Sequence, residues 1–247
     1  MQSLEKVQNK YRNLKFSAVA IELGQLLSQA EANELSYLQF ADSLVQREIQ
    51  IRDAKKVATN QKRSAFPMIK TLEEFDFRFQ TTITKKQITP LLDFTFIDNR
   101  ENILFIGPPG VGKTHLAISI GYKAIEQGYK VLFKTAMELL EILDLAENNG
   151  ELKKKIQVLA KFDLLIIDEL GYLPLNKKSM FNLFQLINRF YEFRSIILTT
   201  NKNFTNWKDF FMGENVAVPI VDRLIHHSKI FMMGGESYRL KAKLEKN

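Results

Sequence analysis

The chain has 247 residues, room for one or two domains at roughly 150 residues each. Its 45% apolar content is enough for a packed core, and the absence of cysteine excludes disulfide frameworks, thiolate metal sites, iron–sulfur clusters and cysteine nucleophiles. Lys and Arg outnumber Asp and Glu by 35 to 28, a net charge of +7 that inclines the surface towards polyanions such as nucleic acid.

In chain order, the amino terminus MQSLEKVQNKYRNLKF is polar and lacks the apolar core of a signal peptide. No later run approaches the ~18 uninterrupted apolar residues of a membrane span. The expectation is a cytoplasmic protein with no membrane contact. Residues 1–66 read as a small all-helical domain. Ser17 to Ala30 carries Val19, Ile21, Leu23, Leu26 and Leu27, the pattern of a short buried helix. Ser36-Tyr-Leu-Gln39 has capping-box spacing, and Leu38, Ala41, Leu44, Val45 and Ile49 then mark one face of a long helix. Its second half gathers Arg47, Arg52, Lys55, Lys56, Lys62 and Arg63. These cations suit either a solvated helix end or contacts to DNA phosphates. Lys153 to Lys155 form a second basic run with the same two readings.

Ser64-Ala-Phe-Pro67 should break the helix, because Pro67 biases Phe66 away from helical geometry. Residues 67–83 read as a linker. The remainder, 84–247, opens with another capping-box spacing at Thr84-Lys-Lys-Gln87, and Pro90 should kink or end that helix. From Asn102 the texture changes. Short runs rich in Ile, Val, Leu and Phe, at 102–106, 130–133, 163–167, 195–199 and 229–232, alternate with helical stretches. That alternation predicts an α/β domain, a parallel sheet buried on both faces and flanked by helices.

Gly107-Pro108-Pro109-Gly110-Val111-Gly112-Lys113-Thr114 fits G-x-x-x-x-G-K-[ST], with a strand before it and a helix opening at His115 after it. The glycines let backbone N–H groups approach phosphate oxygens, and the helix adds its positive end. Lys113 is expected to meet the β- and γ-phosphates of ATP, and the Thr114 hydroxyl to ligate Mg²⁺. Phe162 to Glu169 reads as a buried strand from which Asp168 and Glu169 emerge. Asp168 would hold the hydrated Mg²⁺, and Glu169 would polarise an attacking water, so hydrolysis is expected rather than transfer to a small molecule. Ser195 to Asn201 ends at the same sheet edge, where Asn201 could orient that water. His226 and His227 read as packing residues rather than a metal pair, as does Trp207.

These motifs, with LLIIDELGYLPL, the LTTN strand end, VDRLIHHS and GGESYRL, resemble AAA+ ATPases of the IstB-like insertion-sequence group, relatives of the DnaC helicase loader. The resemblance implies an AAA+ P-loop ATPase core behind the helical domain. It makes Lys113 and Thr114 the phosphate-loop pair, Asp168 and Glu169 the Walker B pair, and Asn201 the sensor. It places Arg223 at the arginine-finger position, reaching the nucleotide of a neighbouring subunit, and offers Arg239 as a second sensing arginine. It further implies a homo-oligomer that binds duplex DNA without sequence preference and presents it to a cognate transposase. A replicative helicase loader is the alternative cargo for the same engine.

Overall fold

In a computed structural model, which describes residues 3–171, 176–203, 207 and 214–244, residues 3–64 form three helices: α1 (Leu4–Asn13), α2 (Ser17–Ala32) and α3 (Tyr37–Ser64). The expected capping box opens α3. The Ser36 N–H donates to Gln39 Oε1 at 2.9 Å, and the Gln39 N–H donates to Ser36 Oγ at 3.3 Å. The helix stops at Ser64, where Ala65 turns left-handed (φ 56°) before Pro67. By its contacts the chain divides into two units, Met1–Thr59 and Asn60–Asn247.

In the first unit Val19, Leu23 and Leu44 form a small core, with Val7, Tyr11, Phe16, Leu26 and Phe40 packed against it. Ile21, Leu38, Val45 and Ile49, expected on the buried face, are exposed. A three-helix unit of this size buries one narrow stripe, and neighbours such as Leu44 and Val45 point about 100° apart. Glu48 is buried at the start of α2. Burial alone would raise its pKa, but the N–H groups of Val19 and Ala18 and the Arg52 guanidinium outweigh that and hold it below its ordinary value.

The second unit begins with the last turn of α3, where the Asn60 amide donates to the Tyr129 carbonyl at 3.2 Å. After the segment 65–84 come α4 (Lys85–Ile88), a 3₁₀ turn at Thr89–Asp93 that contains Pro90, and α5 (Thr95–Asp98). The Thr84–Gln87 box is formed, and Pro90 ends the helix as expected. Five strands follow: β1 (Asn102–Ile106), β2 (Val131–Thr135), β3 (Leu164–Leu170), β4 (Ser195–Thr200) and β5 (Ser228–Met232). They pair in the order β2-β3-β4-β1-β5, all parallel.

Between them run α6 (Lys113–Glu126), α7 (Ala136–Asn148), α8 (Leu152–Leu159), α9 (Lys177–Phe190) and α10 (Glu214–Ile225), with α11 (Tyr238–Leu244) after β5. The core joins Leu165, Ile167, Ile196 and Leu198 to Leu139, Leu183, Phe190 and Trp207. The edge strand β5 departs from expectation. It pairs only with β1, and Lys229, Ile230 and Met232 are exposed, so the sheet is covered on both faces only up to that edge. Among the described residues no helix is long and apolar enough to cross a membrane.

Asn102 ties the start of β1 to its surroundings. Its Nδ2 donates to the Leu224 carbonyl at 3.1 Å, and its Oδ1 accepts from the Ile196 N–H at 2.9 Å. Asn102→Ala would leave both backbone groups buried and unpaired, so it should destabilise the fold by about 2–4 kcal/mol. The check is a urea titration, in which the midpoint should fall at unchanged slope.

Candidate nucleotide site

The loop 107–112 links β1 to α6 at the carboxyl edge of the sheet, where open α/β folds bind their ligands. It is anchored to β4 through the Gly107 N–H, which donates to the Thr200 carbonyl at 3.1 Å. Two glycines are required by contact. A Cβ on Gly107 would sit 1.9 Å from the Met233 carbonyl oxygen. Gly112 has φ 97°, and a Cβ there would sit 2.5 Å from the Phe75 ring. Lys113 opens α6, and its ammonium donates to the Gly107 and Pro108 carbonyls at 2.7 Å each. Burial pushes its pKa below the ordinary lysine value. The Asp168 and Glu169 carboxylates oppose that shift, and the nearby Arg239 charge adds to it.

At the end of β3, Asp168 is buried and Glu169 is exposed. The Thr114 hydroxyl lies 2.8 Å from Asp168 Oδ1 and 3.1 Å from Oδ2. A hydroxyl facing a carboxylate beside a phosphate cradle is an all-oxygen donor set, and it fits a hard cation such as Mg²⁺. Glu169 has a left-handed backbone (φ 63°), which costs a non-glycine residue of the order of 1 kcal/mol.

The cavity in front of this edge has a volume of about 640 Å³. Pro109, Gly110, Val111, Gly112, Lys113, Thr114 and His115 line one side, with Glu169, Thr199, Thr200 and Arg239 around them. Its opposite wall is the segment that reads as a linker in the sequence: Met68, Ile69, Phe75, Phe79 and Gln80 all face the cavity. Phe75 stands edge-on to His115, whose Nε2 lies 2.7 Å from the Thr71 carbonyl. Burial lowers the His115 pKa, which favours a neutral ring donating from Nε2. The buried Gln80 amide donates to the Val111 carbonyl at 3.0 Å and the Gly234 carbonyl at 3.1 Å. Tyr238 closes the other end, its N–H on the Gly110 carbonyl at 3.1 Å and its ring edge-on to Phe79. The alternation of Phe75, Phe77 and Phe79 is the one signal in the sequence that this segment packs.

Lys113, Thr114, Asp168, Glu169 and Arg239 therefore converge. Asn201 does not line the cavity. It lies beside Gly171, and its buried Oδ1 accepts no hydrogen bond. Arg223 is also outside the cavity. Its Nε donates to Asn188 Oδ1 at 3.0 Å, and its guanidinium lies over the rings of Phe184 and Tyr191. His226 and His227 are exposed rather than packed in the core. Their rings sit 4.1 Å apart near Tyr191, whose hydroxyl pairs with His226 Nδ1.

The basic cluster of α3 is split by ion pairing. Arg47 binds Glu22 at 2.6 Å, and Arg52 binds Glu48 at 2.9 Å. Lys55, Lys56, Lys62 and Arg63 are exposed and enter no ion pair among the described residues. In the second basic run Lys153 and Lys155 are likewise exposed, while Lys154 lies 3.3 Å from Glu151.

A parallel sheet in this order, with a phosphate loop after β1 and an acidic pair ending β3, defines an AAA+ P-loop ATPase core. The chain shares that fold with the DnaC helicase loader (TM-score 0.51, 23% identity, 60% of this chain and 86% of that one). It shares it also with AMPPCP-bound DnaA from Aquifex aeolicus (TM-score 0.54, 21% identity, 71% of this chain and 54% of that one). Within this class the chain belongs to the family of IstB-like ATP binding proteins, whose pattern matches residues 9–246. It is 44% identical to the insertion sequence IS5376 putative ATP-binding protein of Geobacillus stearothermophilus, over 97% of this chain and 95% of the relative. It is 42% identical to the insertion sequence IS21 putative ATP-binding protein of Pseudomonas aeruginosa, over 93% of this chain and 87% of the relative.

Proposed function

We propose that this IstB-like protein is a cytoplasmic ATPase that assembles on duplex DNA, hydrolyses ATP and delivers that DNA to a cognate transposase. The observation that carries the reading is the convergence of Lys113, Thr114, Glu169 and Arg239 on one cavity, with the buried Asp168 held directly behind Thr114, in a chain this similar to insertion-sequence ATP-binding proteins. The loop N–H groups and the start of α6 hold the phosphates. The Lys113 ammonium exchanges the Gly107 and Pro108 carbonyls for phosphate oxygens. Thr114 and Asp168 would hold Mg²⁺, which supplies charge neutralisation at the phosphates. The exposed Glu169 carboxylate draws a proton from the attacking water. Asn201, outside the cavity with its Oδ1 buried beside Gly171, would have to turn into it to orient that water. Arg239 faces the same phosphates. Arg223 lies outside its own cavity and serves a neighbour's, which makes the active form a homo-oligomer. Lys55, Lys56, Lys62 and Arg63, with Lys153 and Lys155 as a second candidate surface, are cations placed to meet DNA phosphates.

Sedimentation of the protein with duplex DNA, in ATP and in ADP, tests the reading. Assembly should require ATP. Lys113→Ala should weaken ATP binding by about 10–100-fold through loss of charge-assisted hydrogen bonds, and should remain unassembled at ATP concentrations that saturate the wild type. Equal assembly with and without nucleotide would sink the proposal. A marked preference for single strands would favour the helicase-loader alternative, whose fold this chain shares.

A further inference from the structure

Strand β4 contributes a residue that touches both acids of the site. Thr199 is fully buried at its penultimate position. Its hydroxyl lies 2.5 Å from Asp168 Oδ1 and 2.9 Å from the backbone nitrogen of Glu169. The amide can only donate, so the hydroxyl oxygen accepts from Glu169 N–H and its single proton goes to Asp168.

The backbone explains why this bond exists. Strands β3 and β4 pair in regular register as far as Ile167 and Leu198, and pairing resumes at Leu170 and Thr200. Three steps on β3 match two on β4, so β3 carries a bulge that contains Asp168 and Glu169. Within that bulge Glu169 turns left-handed, and its N–H pairs with the Thr199 side chain instead of a strand carbonyl.

We infer that Thr199 is the positioning residue of the acidic pair: one hydroxyl fixes the Asp168 carboxylate by donating to it and the Glu169 backbone by accepting from it. This rests on the hydrolytic reading above. Two hydroxyls reach Asp168 Oδ1, from Thr114 and from Thr199. Thr114 is the one turned towards Mg²⁺ in that reading. Thr199 stays on Asp168, because its oxygen is already committed to the bulge, and so sets the carboxylate's orientation throughout turnover.

The test uses the full chain with Thr199→Val, Thr199→Ala and Thr199→Ser. The first two lack the hydroxyl, and the third retains it. Loss of two hydrogen bonds should lower kcat by about 10–100-fold in the Val and Ala variants, with KM for ATP within about threefold, because the loop cradle is untouched. The Mg²⁺ concentration for half-maximal turnover should rise about fivefold or more. Independently of turnover, the extra thermal protection that Mg²⁺ adds to bound ATP should shrink in both variants. Thr199→Ser should return all three readouts to within about threefold of wild type.

A purely structural role predicts otherwise: Ser, Val and Ala would lose activity in proportion to their melting temperatures, with the Mg²⁺ requirement unmoved. That pattern, or a Val variant indistinguishable from wild type, overturns the inference. A wild-type protein without turnover would sink the hydrolytic reading instead, and the Mg²⁺-dependent melting of the variants would still decide whether Thr199 sets Asp168.

Discussion

Arg223→Ala should bind ATP as the wild type does and hydrolyse it about 10³–10⁵-fold more slowly, the range in which an arginine supplied to phosphoryl transfer acts. The expectation joins two observations. Arg223 makes no part of its own subunit's cavity, and its guanidinium is held by Asn188 and by the faces of Phe184 and Tyr191 at the surface. A charge so placed serves catalysis only if another subunit brings its nucleotide to it. Mixing makes the test specific. Arg223→Ala subunits keep an intact pocket and Lys113→Ala subunits keep an intact arginine, so mixtures of two inactive proteins should recover turnover. Absence of rescue at every ratio would leave Arg223 as a surface residue. Melting curves of the single variants control for the lost ring contacts, worth about 1 kcal/mol.

Glu169→Gln should keep ATP affinity within a few-fold while hydrolysis falls by about 10²–10⁴-fold, the usual contribution of a positioned general base. The amide preserves size and one acceptor oxygen but cannot take a proton. The Thr199 bond is to the Glu169 backbone and survives the change. ATP-bound assemblies should therefore accumulate on DNA and outlast those of the wild type, as read by filter retention against time. Loss of ATP binding in this variant would mean that the side chain supports the loop rather than the reaction.

The phosphate loop, the acidic pair and all five strands are legible from sequence because each rests on local chemistry: glycine spacing, apolar runs, two carboxylates at a strand end. Features that depend on distant partners are not. Glu22 lies 25 positions before Arg47, and nothing in either neighbourhood announces the ion pair that withdraws Arg47 from a list of DNA contacts. The exposed flank of α3 reads as buried because a 28-residue helix outruns the small core beside it. The bulge at Glu169 is invisible, since Asp168-Glu-Leu170 carries no glycine to mark the left-handed residue. Residues 67–83 show no helical period. They pack through single side chains, Leu72, Phe75, Gln80 and Ile83, which periodicity cannot detect.

The Gln80 bridge has a consequence for how the protein is made. Its two acceptors lie on Val111 and on Gly234, the latter 154 positions after Gln80. Gly107 in turn leans on Thr200, and Gly110 on Tyr238. A nascent chain thus emerges with its phosphate loop long before it has the walls that shape it, and contacts of such separation close slowly. A chain halted on the ribosome before β5 has paired with β1 carries the whole phosphate-loop motif and no finished site for ATP. A loop that is local in the sequence thus sits in a site whose walls are not.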